Sequence, residues 1–317
     1  MLSDRQIFAA QRRLKAYLQP TPCVRMPGLD QCAGGRVWAK PEILQRSGSF
    51  KFRGALNALT QLEEQDKACG VVTASAGNHG LGVAEAACEL KITAIIFVPK
   101  TVTSHKREKL ESLGVRLMIA GEDYDEAEWA AQKYAQQNGL RFIHAFDDDE
   151  VIAGQGTVGA ELLAEPFTIG TVIVPVGGGG LLGGVGLIIK LQRPEIRIIG
   201  VQSEASPAMW QALRQGQVEE TPIAATIADG LAGRFVTGKT LSLAQKFCDE
   251  ILLVRENSIR QALRKIHAQP GWRVEGSAAV GVAAILENQI HAAGKECVVI
   301  LTGGNIAVET FERQTRE

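Results

Sequence analysis

The feature that most constrains this chain is a run of four consecutive glycines, Gly177, Gly178, Gly179 and Gly180, directly behind a short apolar β-branched stretch. Residues 172–176 read as a buried strand, and the apolar segment 181–191 is long enough for a helix. Each glycine loses more backbone entropy on folding than any other residue, so four together are costly. Such a run is tolerated where backbone N–H groups must turn toward one object with no Cβ in the way. At a strand-to-helix junction the natural object is a phosphate, held by those amides and by the positive end of the helix dipole. The run therefore reads as an anion cradle rather than a flexible turn. Which phosphate compound it holds must be settled elsewhere in the chain.

The chain has 317 residues, a net charge of −1 and 45% hydrophobic residues, which describes a globular protein of two lobes with ample core. Without a charge excess, neither nucleic acid nor an anionic membrane is expected as its main partner. The N-terminal residues carry no apolar signal region and no stretch is long enough to span a bilayer, so a cytoplasmic protein is expected. Six scattered cysteines form no C-x-x-C pair and several sit in apolar runs. Reduced core thiols are the expectation, not zinc ligands or disulfides.

Periodicity predicts helices over 4–18 (with Ser3 as N-cap), 55–62, 81–90, 104–113, 125–137, 151–163, 258–267 and 280–293. Strands are expected over 36–40, 69–75, 93–98, 116–120, 142–146, 197–202, 251–254 and 297–302. Strands alternating with helices indicate an α/β fold with largely parallel sheets. The rhythm changes near residue 148, which suggests a smaller inserted domain.

Two loops carry candidate chemistry. In Ser47-Gly-Ser-Phe50-Lys51-Phe-Arg-Gly54 a lysine stands between two phenylalanines at a helix mouth. Apolar neighbours and the helix dipole both disfavour an ammonium there, which would leave a more nucleophilic amine. The competing reading is a surface lysine with its head in water. The turn Ser75-Ala76-Gly77-Asn78-His79-Gly80 follows a strand, where open α/β sheets bind ligands. His79 could be a base, but a structural histidine is the better fit at a helix start.

Together, Ser-Gly-Ser-Phe50-Lys51, Ser75-Ala-Gly-Asn78-His79, the cradle Gly177–Gly180 and Thr302-Gly-Gly-Asn305 resemble one known set. It is that of the fold-type II pyridoxal-phosphate enzymes, specifically the threonine/serine dehydratase and serine racemase group. The resemblance covers nearly the whole chain, with the motifs in the right order. It implies a two-lobed fold like that of the tryptophan synthase β subunit. The large cofactor-binding domain would be 1–68 and 148–317, with 69–147 the small inserted domain and pyridoxal 5'-phosphate in the cleft between them. By the same resemblance Lys51 would form the Schiff base, and the amides of Gly177 to Gly180 and Leu181 would hold the phosphate. Asn78 would bond the ring hydroxyl, Phe50 would pack on the ring, and Thr302 would meet the pyridine nitrogen. The loop Ser75, Ala76, Gly77, Asn78, His79 would bind the substrate carboxylate. Glu275 either lies near the ring or is an ordinary helix-start carboxylate. The activity implied is α,β-elimination of water from an L-3-hydroxy amino acid of the threonine/serine type, giving a 2-oxo acid and ammonia, in a homodimer.

Departures from the family pattern narrow this reading. Serine racemases place a proton-donating serine where this chain has Ala76, so racemisation is not expected to dominate. Cation-binding members carry carboxylates where Gln202, Ser206 and Ala208 stand, so no divalent metal is expected there, although Glu204 is close. No regulatory domain of the biosynthetic threonine deaminases follows in the sequence, and end-product inhibition of that kind is not expected. Thr302 in place of serine or cysteine, and Gly80 in place of alanine, leave room for a bulkier substrate such as 3-phenylserine. Hydroxyaspartate dehydration and β-replacement also stay open. A dinucleotide reading of Gly178-x-Gly180-x-x-Gly183 with Glu204 is available too, as in an NAD-dependent oxidoreductase, but it leaves Lys51, Asn78 and Thr302 unexplained.

Overall fold

The computed structural model describes residues 2–316, the side chain of His105 excepted. Ten strands form two sheets: β1 (Val24–Arg25), β2 (Val37–Pro41), β3 (Val71–Ala74), β4 (Ala94–Val98), β5 (Arg116–Ile119), β6 (Arg141–Phe142), β7 (Ile169–Pro175), β8 (Arg197–Ser203), β9 (Glu250–Val254) and β10 (Glu296–Leu301). The larger sheet runs β1-β2-β10-β7-β8-β9 and the smaller β5-β4-β3-β6. Every pairing is parallel except β1 with β2. Both faces of the larger sheet are covered, so its central strands are apolar on both sides. Val172, Val174, Val298 and Ile300 face one cluster with the helix Gly180–Gln192, whereas Ile173, Val299 and Leu301 face another with the helix Gly276–Leu286.

Several boundaries differ from the sequence reading for local reasons. The helix expected from residue 55 begins at Lys51, because the Phe50 N–H is tied to the Thr302 carbonyl at 3.1 Å and Phe50 already has helical dihedrals. Likewise the helices expected from 81 and 280 begin at Asn78 and Gly276. Residue 276 must be glycine, since a Cβ there would strike the backbone of Ile227 and Ala228. The strand expected over 142–146 stops at Phe142, and a turn ordered by His144 replaces the rest. The first helix ends at Leu14 rather than 18, and the helix Val308–Thr315 was not anticipated. Cys69 closes a helix instead of opening β3. All six cysteines are free, but Cys69 and Cys88 are exposed and only Cys297 is buried, which corrects the expectation of core thiols. Among the described residues no helix is long and apolar enough to cross a membrane.

Two interactions fix the helix Lys51–Thr60. First, glycines let it touch the helix Asp149–Leu162 backbone to backbone: a Cβ on Gly154 would lie 2.5 Å from the Arg53 carbonyl and 2.6 Å from Gly54 Cα. Second, Arg53 is wholly buried between two carboxylates. Its Nε and Nη2 donate to Glu42 at 2.7 and 2.8 Å, and its Nη1 and Nη2 donate to Glu161 at 2.6 and 2.9 Å. Lys40, also wholly buried, pairs with Glu161 at 2.7 Å and donates to the Thr21 carbonyl at 2.5 Å. Burial alone would raise the Glu161 carboxyl, but Arg53 and Lys40 hold it below its usual range. Removing one member of such a cluster strands the others in a medium that cannot solvate them. Arg53→Met leaves two carboxylates with one lysine and is expected to lower the unfolding free energy by about 3–5 kcal/mol in urea titrations. A loss below about 1 kcal/mol would show that the cluster relaxes or takes up water.

Candidate active site

Lys51 is the first residue of its helix, with its side chain half-buried and its Nζ donating to the Ala145 carbonyl at 2.8 Å. The amine also stands 5.2 Å from the Phe50 ring centroid. Burial pushes its pKa down to about 8. Of the two readings open in the sequence, the structure supports the sheltered amine over the surface one.

The Ala145 carbonyl is held in place by its neighbours. His144 Nδ1 accepts from the N–H groups of Phe146 and Asp147 at 3.2 and 2.9 Å. That leaves the proton on Nε2, which faces Glu128 at 3.5 Å. Phe146 then lies on the glycine run: a Cβ on Gly178 would come within 2.5 Å of its ring, and one on Gly180 within 3.0 Å of its Cβ. The lysine and the cradle are thus joined through two consecutive residues, neither of which stood out in the sequence. The only sequence signal there was a histidine two residues before the second aromatic, inside an apparent strand.

The cradle is needed as glycine twice over. Gly179 has φ +93°, and a Cβ on it would meet Met209 at 2.5 Å; side chains at 178 and 180 would collide with Phe146. Close packing alone therefore demands three of the four. The backbone N–H groups tell a second story. Those of Gly177, Gly178, Gly179, Gly180 and Leu181 have no acceptor among the described residues, and the helix dipole of Gly180–Gln192 begins there. Five consecutive unmatched donors at a helix N-terminus fit a phosphate.

Asn78, Glu275 and Asn305 converge around the loop 302–305. Asn78 Nδ2 donates to the Glu275 carboxylate, while Asn78 Oδ1 accepts from Asn305 Nδ2 at 2.6 Å. Burial raises the Glu275 pKa to about 7, against the Asn78 bond that lowers it. Glu275 lies directly over Gly303, where a Cβ would collide with its carboxylate, so it is not an ordinary solvated helix-start residue. Thr302 is buried, and its hydroxyl has no hydrogen-bond partner among the described residues.

Not every member of the 75–79 loop offers its side chain to the site. His79 is buried with Nε2 at 3.0 Å from the Ile143 carbonyl, and burial, then the charge of Lys51, drops its pKa to about 3. Its ring is neutral and tied through Nε2, while Nδ1 has no hydrogen-bond partner among the described residues. Ser75 Oγ accepts from the Gly77 N–H at 3.1 Å, and a Cβ on Gly77 would meet open space. Ala76 packs against an apolar cluster of the smaller sheet. Gly80 makes no room for a substrate: a Cβ there would strike the Ser75 carbonyl, so the loop itself fills that space. Gln202 and Ser206 are likewise engaged, with the Trp210 N–H at 2.8 Å and the Leu231 carbonyl at 3.1 Å.

Comparison with known proteins agrees with this geometry. Residues 14–303 match the pyridoxal-phosphate dependent enzyme family. An L-threonine ammonia-lyase of Thermotoga maritima is 40% identical over 313 residues, which is 99% of this chain and 78% of that protein. The processed form of threonine deaminase isoform 2 from Solanum lycopersicum superposes with a TM-score of 0.92 at 31% identity, covering 98% of this chain and 92% of that one. Maize serine racemase gives 0.93 at 31% identity, covering 98% and 96%. With a family match over most of its length and a relative this similar, the chain belongs to the pyridoxal-phosphate dependent enzymes.

Proposed function

We propose that this enzyme is an ammonia-lyase that removes water from an L-3-hydroxy amino acid of the threonine/serine type and releases a 2-oxo acid and ammonia. The observation that carries the reading is the junction at Ala145 and Phe146, which brings a sheltered amine beside five unmatched backbone donors. The named activity of the Thermotoga maritima relative supports the same reaction class. The proposal includes a homodimer in the cytoplasm, as the family resemblance implies.

Pyridoxal phosphate, when bound, supplies an aldehyde for amino groups and a conjugated ring that accepts electron density from Cα. The chain's own residues do the rest. Lys51 would hold the cofactor's aldehyde carbon, and its Nζ, once free, is the group placed to take the proton from the substrate Cα. The electron pair left by that proton would expel the Cβ hydroxyl, the proton held on Lys51 Nζ would make it leave as water, and a water molecule would then replace the amino group to give the 2-oxo acid and ammonia. The amides of Gly177 to Leu181 bind the phosphate dianion, and Asn78 Nδ2 offers a donor to the ring hydroxyl. Phe50 would cover the ring, and the backbone of residues 75–79 would receive the carboxylate. Thr302 presents a neutral hydroxyl to the pyridine nitrogen, where a carboxylate would hold it protonated. A neutral partner would leave the nitrogen less protonated and the ring a weaker acceptor of electron density, which would favour prompt loss of the β-hydroxyl. At position 76 a methyl group has no proton to deliver, which argues against racemisation even though a serine racemase shares the fold. Gly80, whose missing Cβ is replaced by the Ser75 carbonyl, gives no argument for the phenyl of 3-phenylserine.

The deciding assay offers threonine, serine, 3-hydroxyaspartate and 3-phenylserine and measures 2-oxo acid, ammonia and the D-enantiomer. Threonine or serine should give keto acid and ammonia in equal amounts, and Lys51→Ala should give neither. Absence of product from all four would remove the dehydratase reading.

Competitive acetylation of the apoprotein across pH tests the amine directly. Only the neutral form reacts, so Lys51 labelling should climb with pH and level off above about 8, whereas ordinary lysines go on rising to about 10.4. A Lys51 curve matching theirs would mean that burial does not control the amine.

Cofactor retention separates the two demands on the glycine run. Gly178→Ala drives a methyl into Phe146 and should weaken pyridoxal phosphate binding by about tenfold or more, whereas Gly177→Ala, with Leu231 Cα at 3.3 Å, should cost less. Equal losses would point to the amides alone.

A further inference from the structure

One side chain, itself in the last of the four motifs that make up the site, touches two of the other three. Asn305 Nδ2 donates to the Ser47 carbonyl at 2.8 Å and to Asn78 Oδ1 at 2.6 Å. Its Oδ1 accepts from Lys109 Nζ at 2.6 Å, and Lys109 belongs to the helix Ser104–Glu111 beside the smaller sheet. An ammonium can only donate and a main-chain carbonyl can only accept, so these two partners allow one orientation of the Asn305 amide. Turned over, its nitrogen would face Lys109 and its oxygen would face two other oxygens. The orientation passes on, because Asn78 must then present Oδ1 to Asn305 and Nδ2 toward Glu275 and the site. Room for this arrangement comes from Gly48 at φ +74°, where a Cβ would stand 2.6 Å from Asn305 Oδ1.

We infer that Asn305 is a positioning residue that aims the Asn78 donor into the site, and that Lys109 makes this aim depend on its helix resting against the loops of the larger sheet. The inference rests on the proposed contact between Asn78 and the cofactor ring. It adds a coupling: the ring contact is correctly formed only when the two sheets' loops close on each other. Lys106 of the same helix pairs with Asp229 at 3.3 Å, so the helix keeps an anchor when Lys109 is changed.

The test reads the pyridoxal phosphate dissociation constant and the visible absorption of the holoenzyme, not turnover. Asn78→Ala should weaken binding by about tenfold and move the absorption maximum. Asn305→Asp places an oxygen against two acceptors and should do the same. The double variant should be no worse than either alone, since all three remove one contact. Lys109→Met should weaken binding by about threefold with the same direction of spectral change, and Lys109→Arg should restore both. Should Asn305→Asp fail to fold, the Lys109 pair decides, because that residue is exposed. If Asn78→Ala leaves affinity and spectrum unchanged, the ring contact itself is wrong and the inference goes with it. If Asn78→Ala changes both while Asn305→Asp and Lys109→Met do not, or if the losses add, the ring contact stands and the positioning claim is overturned.

Discussion

The hydrogen bond from Lys51 Nζ to the Ala145 carbonyl is the contact on which the rest of the site depends. It gives a half-buried ammonium one acceptor and no counter-ion, enough to hold the side chain but not enough to lock in its charge. A carboxylate in the same place would stabilise the ammonium and raise its pKa, the opposite of what amine chemistry needs. The carbonyl holds still because its turn is tied at both flanks. His144 caps the N–H groups of Phe146 and Asp147, and His79 meets the Ile143 carbonyl. His79, the one histidine the sequence offers as a base, joins His144 in building the frame for a lysine.

Much of this was legible in the sequence, and what was missed has a common cause. The α/β class, the strand before the glycines and the cradle itself follow from periodicity and from the cost of glycine. The apolar pattern of Phe142, Ile143 and Phe146 predicts a strand where the structure has a turn at 143–147. Nothing local reveals that His144 takes two backbone donors out of the ladder. Helix starts were placed late at Lys51, Asn78 and Gly276 because none carries a side-chain cap. Their ends are fixed by distant backbone, such as Thr302 for Phe50 and Gly303 for Glu275. Long-range ties of that kind leave no mark on a window of neighbouring residues. Gly80 teaches the same lesson from the other side: a missing methyl was read as space for substrate, and the protein's own carbonyl occupies it.

The carboxyl of Glu275 shows how the chain keeps charge near the site adjustable. With its pKa at about 7, above the usual range, it binds a proton in the folded protein that an unfolded chain would already have lost. Its contribution to stability is therefore greatest at low pH and declines as pH rises from about 4.5 through 7. Asn78 faces this carboxyl with its Nδ2, so the bond favours the ionised form while burial favours the protonated one. Burial holds His79 neutral at such pH values, while it brings the Lys51 amine to about 8 and the Glu275 carboxyl to about 7.

These soft groups stand on a hard base. Arg53 follows Lys51 by two residues, and a helix turns about 200° over that interval, so the two side chains leave opposite faces. On one face a guanidinium forked into two buried carboxylates permits almost no rotation or translation of the helix. On the other, the amine has a single carbonyl partner and a flexible four-carbon stem. Catalysis of the proposed kind needs that asymmetry, because the amine must leave one carbon, wait beside another and return, while its backbone keeps the same distance from the cradle. A helix anchored by apolar packing alone could shift with each exchange; one anchored by paired charges confines the movement to the lysine side chain.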